Sequence, residues 1–395
     1  MNVKTYTAKQ FITHHSSLII RASVVAAILF VTARPSTACP FCLADEPTLA
    51  QRRESADGVV LGEAAGRRGD GKQQTFQLHT IFKGPAELKK RGKIEIESPV
   101  AKTGSLAILF ATVDNEQQRI DRWDWNTAFA NEALLGYFAA APDLRQPVEK
   151  RLAYFVSYLE HADRDIARDA YLEFAHAPYD DVVRMADKFD FAAVRDWLES
   201  PRVPDERKGF YGLVLGIAKR EQDRAANRSL LQRLIEADHG EFRAGFDGVL
   251  AGYLLLTGET GLKQIEQRYF LSERAKHGDV RHAMNALRFY YEYGPKEIRS
   301  GVARAVTQVI ERPEFAAAAI TDLARWEHWQ VLDQVEALYG REPFADGPTR
   351  RAIVGYLSAC NKPEAGAALE RLRKRDPSGV EVAEKVLFLP AGKSM

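Results

Sequence analysis

The first apolar pattern in the body of the chain has the period of strands. Gly58-Val-Val-Leu-Gly-Glu-Ala64 is short and β-branched, and Thr75-Phe-Gln-Leu-His-Thr-Ile-Phe82 alternates, setting Phe76, Leu78 and Thr80 on one face. Lys93-Ile-Glu-Ile-Glu97 alternates again. Ser105 to Val113 reads as a more deeply buried strand. Lys83-Gly-Pro85 marks a turn, and the hydrophilic stretch from Gly66 to Gln74 reads as a long surface loop. Four or five short strands of this kind predict a small closed or half-closed barrel.

From about Val148 the period changes to that of helices. Leu152, Phe155, Val156 and Leu159 recur at i, i+3, i+4, i+7. Ala167, Ala170, Tyr171 and Phe174 follow, with Asp163 as N-cap and Pro178 as the stop. The spacing returns at Phe210, Leu213, Val214 and Ile217, at Phe246, Val249, Leu250 and Tyr253, and at Val302, Val306, Val309 and Ile310. Short breaks at Pro201, Pro204, Gly240, Gly258, Gly278, Pro295, Pro313, Gly340 and Pro363 separate these segments, which is the grammar of an α-solenoid. The units are irregular in length, closer to HEAT than to TPR or ankyrin repeats. Gly209, Gly212 and Gly216 punctuate one helix. Each glycine there costs about 1 kcal/mol against alanine, which close packing of two helix backbones would justify. The expected fold class is therefore α+β: a small N-terminal five-stranded OB-like β-barrel, then an α-solenoid of HEAT-like helix pairs. The boundaries read as a β-module over 39–125, a connecting segment over 126–147, the helical domain over 148–378 and a tail over 379–395.

Residues 1–38 carry no Asp or Glu. Lys4, Lys9 and Arg21 precede a largely apolar run from Ala22 to Ala33, and Ser36-Thr37-Ala38 supplies small residues before Cys39. These are the parts of a secretory signal peptide, cleaved after Ala38. The run is shorter than the ~20 residues that span a bilayer. An uncleaved N-terminal anchor is the alternative; a lipid on Cys39 fits less well, because Ser36 stands where leucine is preferred. Losing Lys4, Lys9, Arg21 and Arg34 takes the formal charge from +1 to −3. That leaves no basic footprint for nucleic acid and no polybasic membrane patch. A 46% hydrophobic, 28% charged chain is ordinary for a globular protein.

The cysteines are Cys39, Cys42 and Cys360. In an oxidising compartment Cys39 and Cys42 are expected to form a disulfide. C-P-F-C also invites a redox reading, but that chemistry wants the first cysteine at a helix N-terminus after a strand, and here it opens the mature chain. A local staple is the simpler reading. Leu43 stands where haem attachment needs His, and a four-ligand zinc site lacks a second cysteine pair. Cys360 reads as a small buried apolar residue. His277 and His282 are five apart, and Glu327-His328 lacks the flanking His of H-E-x-x-H. His161, Asp163 and Asp165 read as a solvated helix cap, and Asp180-Asp181 as a helix start. No Walker loop, G-x-G-x-x-G or G-x-S-x-G occurs. Trp123-Asp-Trp125 is expected to pack the barrel against the first helices. No cofactor, metal or catalytic residue is expected.

Ala56-Asp-Gly-Val-Val-Leu-Gly-Glu-Ala64, followed by Thr75 to Pro85, resembles the netrin-like module, the OB barrel of the tissue inhibitors of metalloproteinases. The likeness covers about residues 39–125, and Ile81-Phe-Lys-Gly-Pro85 is its most specific piece. It implies an OB fold. In that family the N-terminal Cys of a C-x-C start chelates the protease zinc; this chain has C-x-x-C and no further Cys in the module. The whole arrangement also resembles exported bacterial proteins with C-P-F-C starts and HEAT-like helical bodies, a likeness that supplies no activity. The leading functional expectation is a non-catalytic scaffold for a protein partner in the cell envelope or outside. It is set against a thiol–disulfide redox protein using Cys39 and Cys42, and an inhibitor acting through the mature N-terminus.

Overall fold

The computed structural model describes residues 41–42, 46–67, 73–97, 102–113, 123–237 and 243–387. The expected signal peptide over 1–38, Cys39 and residues 388–395 lie outside them.

A capped helix, α1 (Leu49–Ser55), leads into five strands: β1 (Gly58–Arg67), β2 (Gln73–Lys83), β3 (Lys93–Glu97), β4 (Leu106–Thr112) and β5 (Asp124–Ala130), with a single turn, α2 (Ala86–Lys89), between β2 and β3. All pairs are antiparallel, in the order β3-β2-β1-β4-β5. β1 is central, its Val60 facing Ile81 on one side and Leu109 on the other. Three register shifts between β1 and β2, at Val59/Val60, Leu61/Gly62 and Ala64/Gly66, add local twist and curl the sheet. Among the described residues no pairing joins β3 to β5, so the result is a half-barrel. Its inner side holds Val60, Ala64, Phe76, Leu88, Ile94, Ile96, Leu109 and Trp123. The other side buries Val59, Ile108 and Phe110 with Ala56 and Phe138. β4 is thus covered on both faces, which is why it reads as a continuous apolar run while β3 alternates.

Two expected boundaries move. β5 continues to Ala130, and α3 (Glu132–Ala140) follows at once, so 126–147 is not a bare connector. Asn131 caps α3 by accepting from the Leu134 N–H at 2.9 Å. At the other end α18 (Pro377–Leu387) runs through what was expected to be tail, with Val380 and Ala383 buried. The expected packing role of Trp123 and Trp125 is also corrected. Their rings lie 5.9 Å apart within the half-barrel's own core, Trp123 covering Gly58 so closely that a Cβ there would sit 2.7 Å from its ring. The sheet meets the helices through its opposite face. There Phe138 of α3 stands edge-on to Phe82 and Phe110, at 5.2 and 6.0 Å.

The helices continue as α4 (Val148–Phe155), α5 (Arg164–Ala175), α6 (Tyr179–Arg184), α7 (Phe191–Glu199), α8 (Asp205–Gly216), α9 (Glu221–Glu236), α10 (Phe246–Thr257), α11 (Glu259–Ile265), α12 (His277–Tyr293), α13 (Arg299–Thr307), α14 (Pro313–Arg325), α15 (Leu332–Leu338), α16 (Gly347–Ala359), α17 (Pro363–Arg375) and α18. Every second helix forms a row: α8 packs on α10, α10 on α12, α12 on α14, α14 on α16 and α16 on α18. The helices between them, α9, α11, α13, α15 and α17, each pack against a member of that row. One continuous apolar core runs from Leu134 to Ala383. No described helix is long and apolar enough to cross a membrane.

The tightest helix contact is α8 on α10, and glycine makes it. Gly209, Gly212 and Gly216 face Gly245, Gly248 and Gly252. A Cβ on Gly248 would lie 1.9 Å from the Gly209 carbonyl oxygen, and one on Gly252 2.1 Å from that of Gly212. Gly245 adds a left-handed φ of +66° that L side chains rarely adopt.

Candidate functional site

The residues singled out from the sequence fall in three places. Cys42 is disulfide-bonded, while Cys360 is a free, buried thiol at the end of α16. Phe41, next to Cys42, is seated on the helical body. Its ring lies 5.2 Å from Phe289 of α12, and a Cβ on Gly209 would touch its carbonyl oxygen at 3.0 Å. Phe289 in turn meets Tyr179 at 4.9 Å and Tyr293 at 5.0 Å, and burial pushes the Tyr179 phenol up in pKa. Phe41 and Cys42, the described part of C-P-F-C, therefore adjoin the row of helices.

The next residues dock on α5. Glu46 pairs with Arg168 at 2.8 Å, and its carbonyl accepts from His176 Nε2 at 2.9 Å. Thr48 and Gln51 form a reciprocal capping box on α1. The Leu49 N–H and the Tyr137 hydroxyl both donate to Asp169, each at 2.6 Å. Asp169 and Glu173 are buried, and loss of solvent raises both carboxyls above the usual range. These donors hold the N-terminal segment in place; the arrangement is structural.

His161, Asp163 and Asp165 behave as the cap expected of them. Asp163 accepts from the backbone of Asp165 and Ile166 at 2.9 and 3.3 Å, and the Asn131 amide holds its carboxyl below the usual range. Among the described residues no group of three or more His, Cys, Asp or Glu is placed to hold a metal ion.

The open surface with built chemistry lies further along the row, where sequence reasoning assigned nothing. A polar line crosses three helices. Asp247 of α10 accepts from Asn285 Nδ2 at 3.3 Å and stands 3.6 Å from His282 Nδ1. Asn285 accepts from Arg288 Nη1 at 2.7 Å, and Arg288 Nε donates to Asp322 of α14 at 2.7 Å. Asp322 is 3% exposed, and desolvation raises its pKa against the pull of Arg288. Arg288 and Asp322 then line one side of a groove of about 800 Å³ between α14 and α16. Ala317, Ala318, Ala352, Gly355 and Ala359 give it an apolar lining, to which Arg325 and Arg351 also belong; Arg325 is exposed and Arg351 half-buried. Tyr356 also lines it, but its hydroxyl is committed to the His328 carbonyl at 2.6 Å.

The groove was illegible in sequence because alanine on a helix signals little. The glycine stripe was half legible. Its partner stripe repeats the same G-x-x-G-x-x-x-G spacing 36 positions on, 209 to 245, 212 to 248 and 216 to 252, and this offset is visible in the chain itself. No family model, no curated protein and no solved structure matches the chain.

Proposed function

We propose that this is an exported binding protein: an OB-like β-module joined to a HEAT-like α-solenoid that holds a protein partner on its helical surface. The observation that carries the reading is the groove between α14 and α16, an open space of about 800 Å³ fixed in shape by the Asp247–Asn285–Arg288–Asp322 line beside it. The two alternating sets of helices from α8 onward support the solenoid, since successive helices there pack chiefly on their neighbours. The strand order, with β1 paired to both β2 and β4, suits a partly open OB barrel. Residues 1–38 supply the export signal, and Cys39 and Cys42 form the staple that brings Phe41 onto α8 and α12. The reading assigns no reaction to any residue.

The test is photo-crosslinking in the native envelope. A photoreactive amino acid at Ala318, in the groove, should give one defined protein adduct. The same group at Ala367, exposed on α17, should give none. Adducts of equal yield from both positions, or none from Ala318, would sink the reading.

A further inference from the structure

We propose that the groove between α14 and α16 takes an extended acidic peptide segment of the partner, its carboxylates on Arg325 and Arg351 and its apolar residues on the alanine floor. This inference rests on the binding reading above and names the chemistry of the ligand.

Charge is the argument. Three arginines and one aspartate line the groove. Asp322 is already engaged, accepting from Arg288 Nε at 2.7 Å, and Asn285 holds a second nitrogen of the same guanidinium. That guanidinium is neutralised and fixed. Among the described residues neither Arg325 nor Arg351 has a carboxylate within 4.0 Å. Asp346, whose charge Arg351 feels, spends its carboxylate on the Thr349 N–H at 2.9 Å, as the cap of α16. Two guanidiniums thus stand beside an apolar surface with no carboxylate in ion-pair contact, Arg325 acting on Asp322 and Arg351 on Asp346 only at longer range. There a charge-assisted hydrogen bond is stronger than in open water, and arginine suits carboxylates because its planar fork can engage both oxygens.

The floor decides for peptide over a small anion. Ala317, Ala318, Ala352 and Ala359 present methyl groups across the groove, and its fixed donors are already spent, Arg288 on Asp322 and Asn285 and the Thr321 hydroxyl on the Ala317 carbonyl. A chain laid along the groove buries its own apolar side chains there and places acidic ones at the edges. The binding is then partly electrostatic and weakens as salt screens it.

The experiment uses the full chain and fluorescence anisotropy. The probe is a fluorescein-labelled peptide of sequence Glu-Leu-Ala-Val-Leu-Glu, with its twin in which both Glu are Gln. The acidic peptide should bind, and the twin should bind about tenfold more weakly, the loss of a charge-assisted hydrogen bond. Arg325→Ala with Arg351→Ala should weaken the acidic peptide by about tenfold or more and leave the twin nearly unchanged. Ala318→Trp, which fills the floor, should abolish both. Each variant's melting curve is recorded, so a folding defect is seen as such; Arg325 is exposed, Arg351 is half-buried, and neither belongs to the core. Equal binding of the two peptides, no binding of the acidic one, or indifference to the double substitution would overturn the proposal. So would equal competition by oligo-dT, which would make the site one for polyanions. A partner that crosslinks at Ala318 but is not displaced by the acidic peptide defeats this inference and leaves the binding reading standing. Absence of the crosslink defeats the reading itself.

Discussion

Gly248→Ala puts the contact between α8 and α10 to a quantitative test. The added methyl carbon would lie 1.9 Å from the Gly209 carbonyl oxygen and 2.5 Å from its carbon. Ordinary contact begins at 3.4 Å, so the helices must part by about 1.5 Å, the difference between 3.4 and 1.9 Å. The obstacle is backbone and cannot rotate aside. Parting the helices loosens Phe210, Leu213 and Val214 from Val249, Leu250 and Tyr253, all buried, and gaps of this size forfeit much of each dispersion contact. Overpacking of this kind costs about 1–3 kcal/mol or more, while alanine returns about 1 kcal/mol of helix propensity. The steric effect wins, for a net loss of about 2 kcal/mol at the upper end of that range. For a body of this size that lowers the melting temperature by roughly 4–8 °C. Gly366→Ala is the matched control: it lies in α17 with nothing within 4 Å of the new methyl. It should gain up to about 1 kcal/mol and melt slightly higher. The assay is circular dichroism at the helical minimum against temperature, repeated as a urea titration. If Gly248→Ala melts at or above the parent, as the control does, the close-contact reasoning is wrong.

Phe138→Ala should cost about 3–5 kcal/mol, because the ring is fully buried between sheet and helices. Trp125→Ala, half-buried within the half-barrel, should cost less; equal losses on melting would return the interface to the tryptophans. Burial raises Asp169, Glu173 and Asp322, so the fold keeps protons that the unfolded chain releases from about 3.8 upward at the aspartates and about 4.5 at the glutamate. Their stabilisation is complete below those unfolded-state values and is lost as pH rises through the folded-state pKa. Asp163 and Asp376, held low by hydrogen bonds, act in the opposite sense. The readout is therefore a difference: Asp169→Asn should flatten the decline of the urea midpoint with rising pH, and an unchanged slope counts against the assignment. Peptide mapping without reductant should find Cys39 joined to Cys42, with Cys360 alkylated only after unfolding; a Cys39–Cys360 link would refute this. Protein recovered from the exported fraction should begin at Cys39 by mass spectrometry, and an intact Met1 would end the signal-peptide reading.

β1 to β4 were legible because one or both faces are buried, and burial writes itself as alternation or as a continuous apolar run. β5 was not: it is an edge strand whose residues are mostly half-exposed, so no period stands out. α3 carried its signals, Asn131 as cap and Leu134, Tyr137 and Phe138 as the buried stripe, but it lay in a stretch read as linker. Trp123 was misplaced for a different reason. Its partner is the bare backbone of Gly58, and nothing local marks which glycine a distant indole will cover. The same limit hid Asp169 and Glu173, which look like the solvated face of a helix until Thr48 and Leu49 arrive from 120 residues upstream. The groove was hidden because its identity lies in what its alanines leave empty.

The seat of Phe41 has a consequence for the order in which the molecule can assemble. Its contacts are on Gly209 and Phe289, and Glu46 and Leu49 wait for His176 and Asp169. A chain that emerges N-terminus first presents these residues long before their partners exist. The opening segment cannot settle until α12 has been made, so its docking closes a long loop between the first described residues and the helical body. Contacts of such sequence separation form slowly, since loop closure must come before their reward.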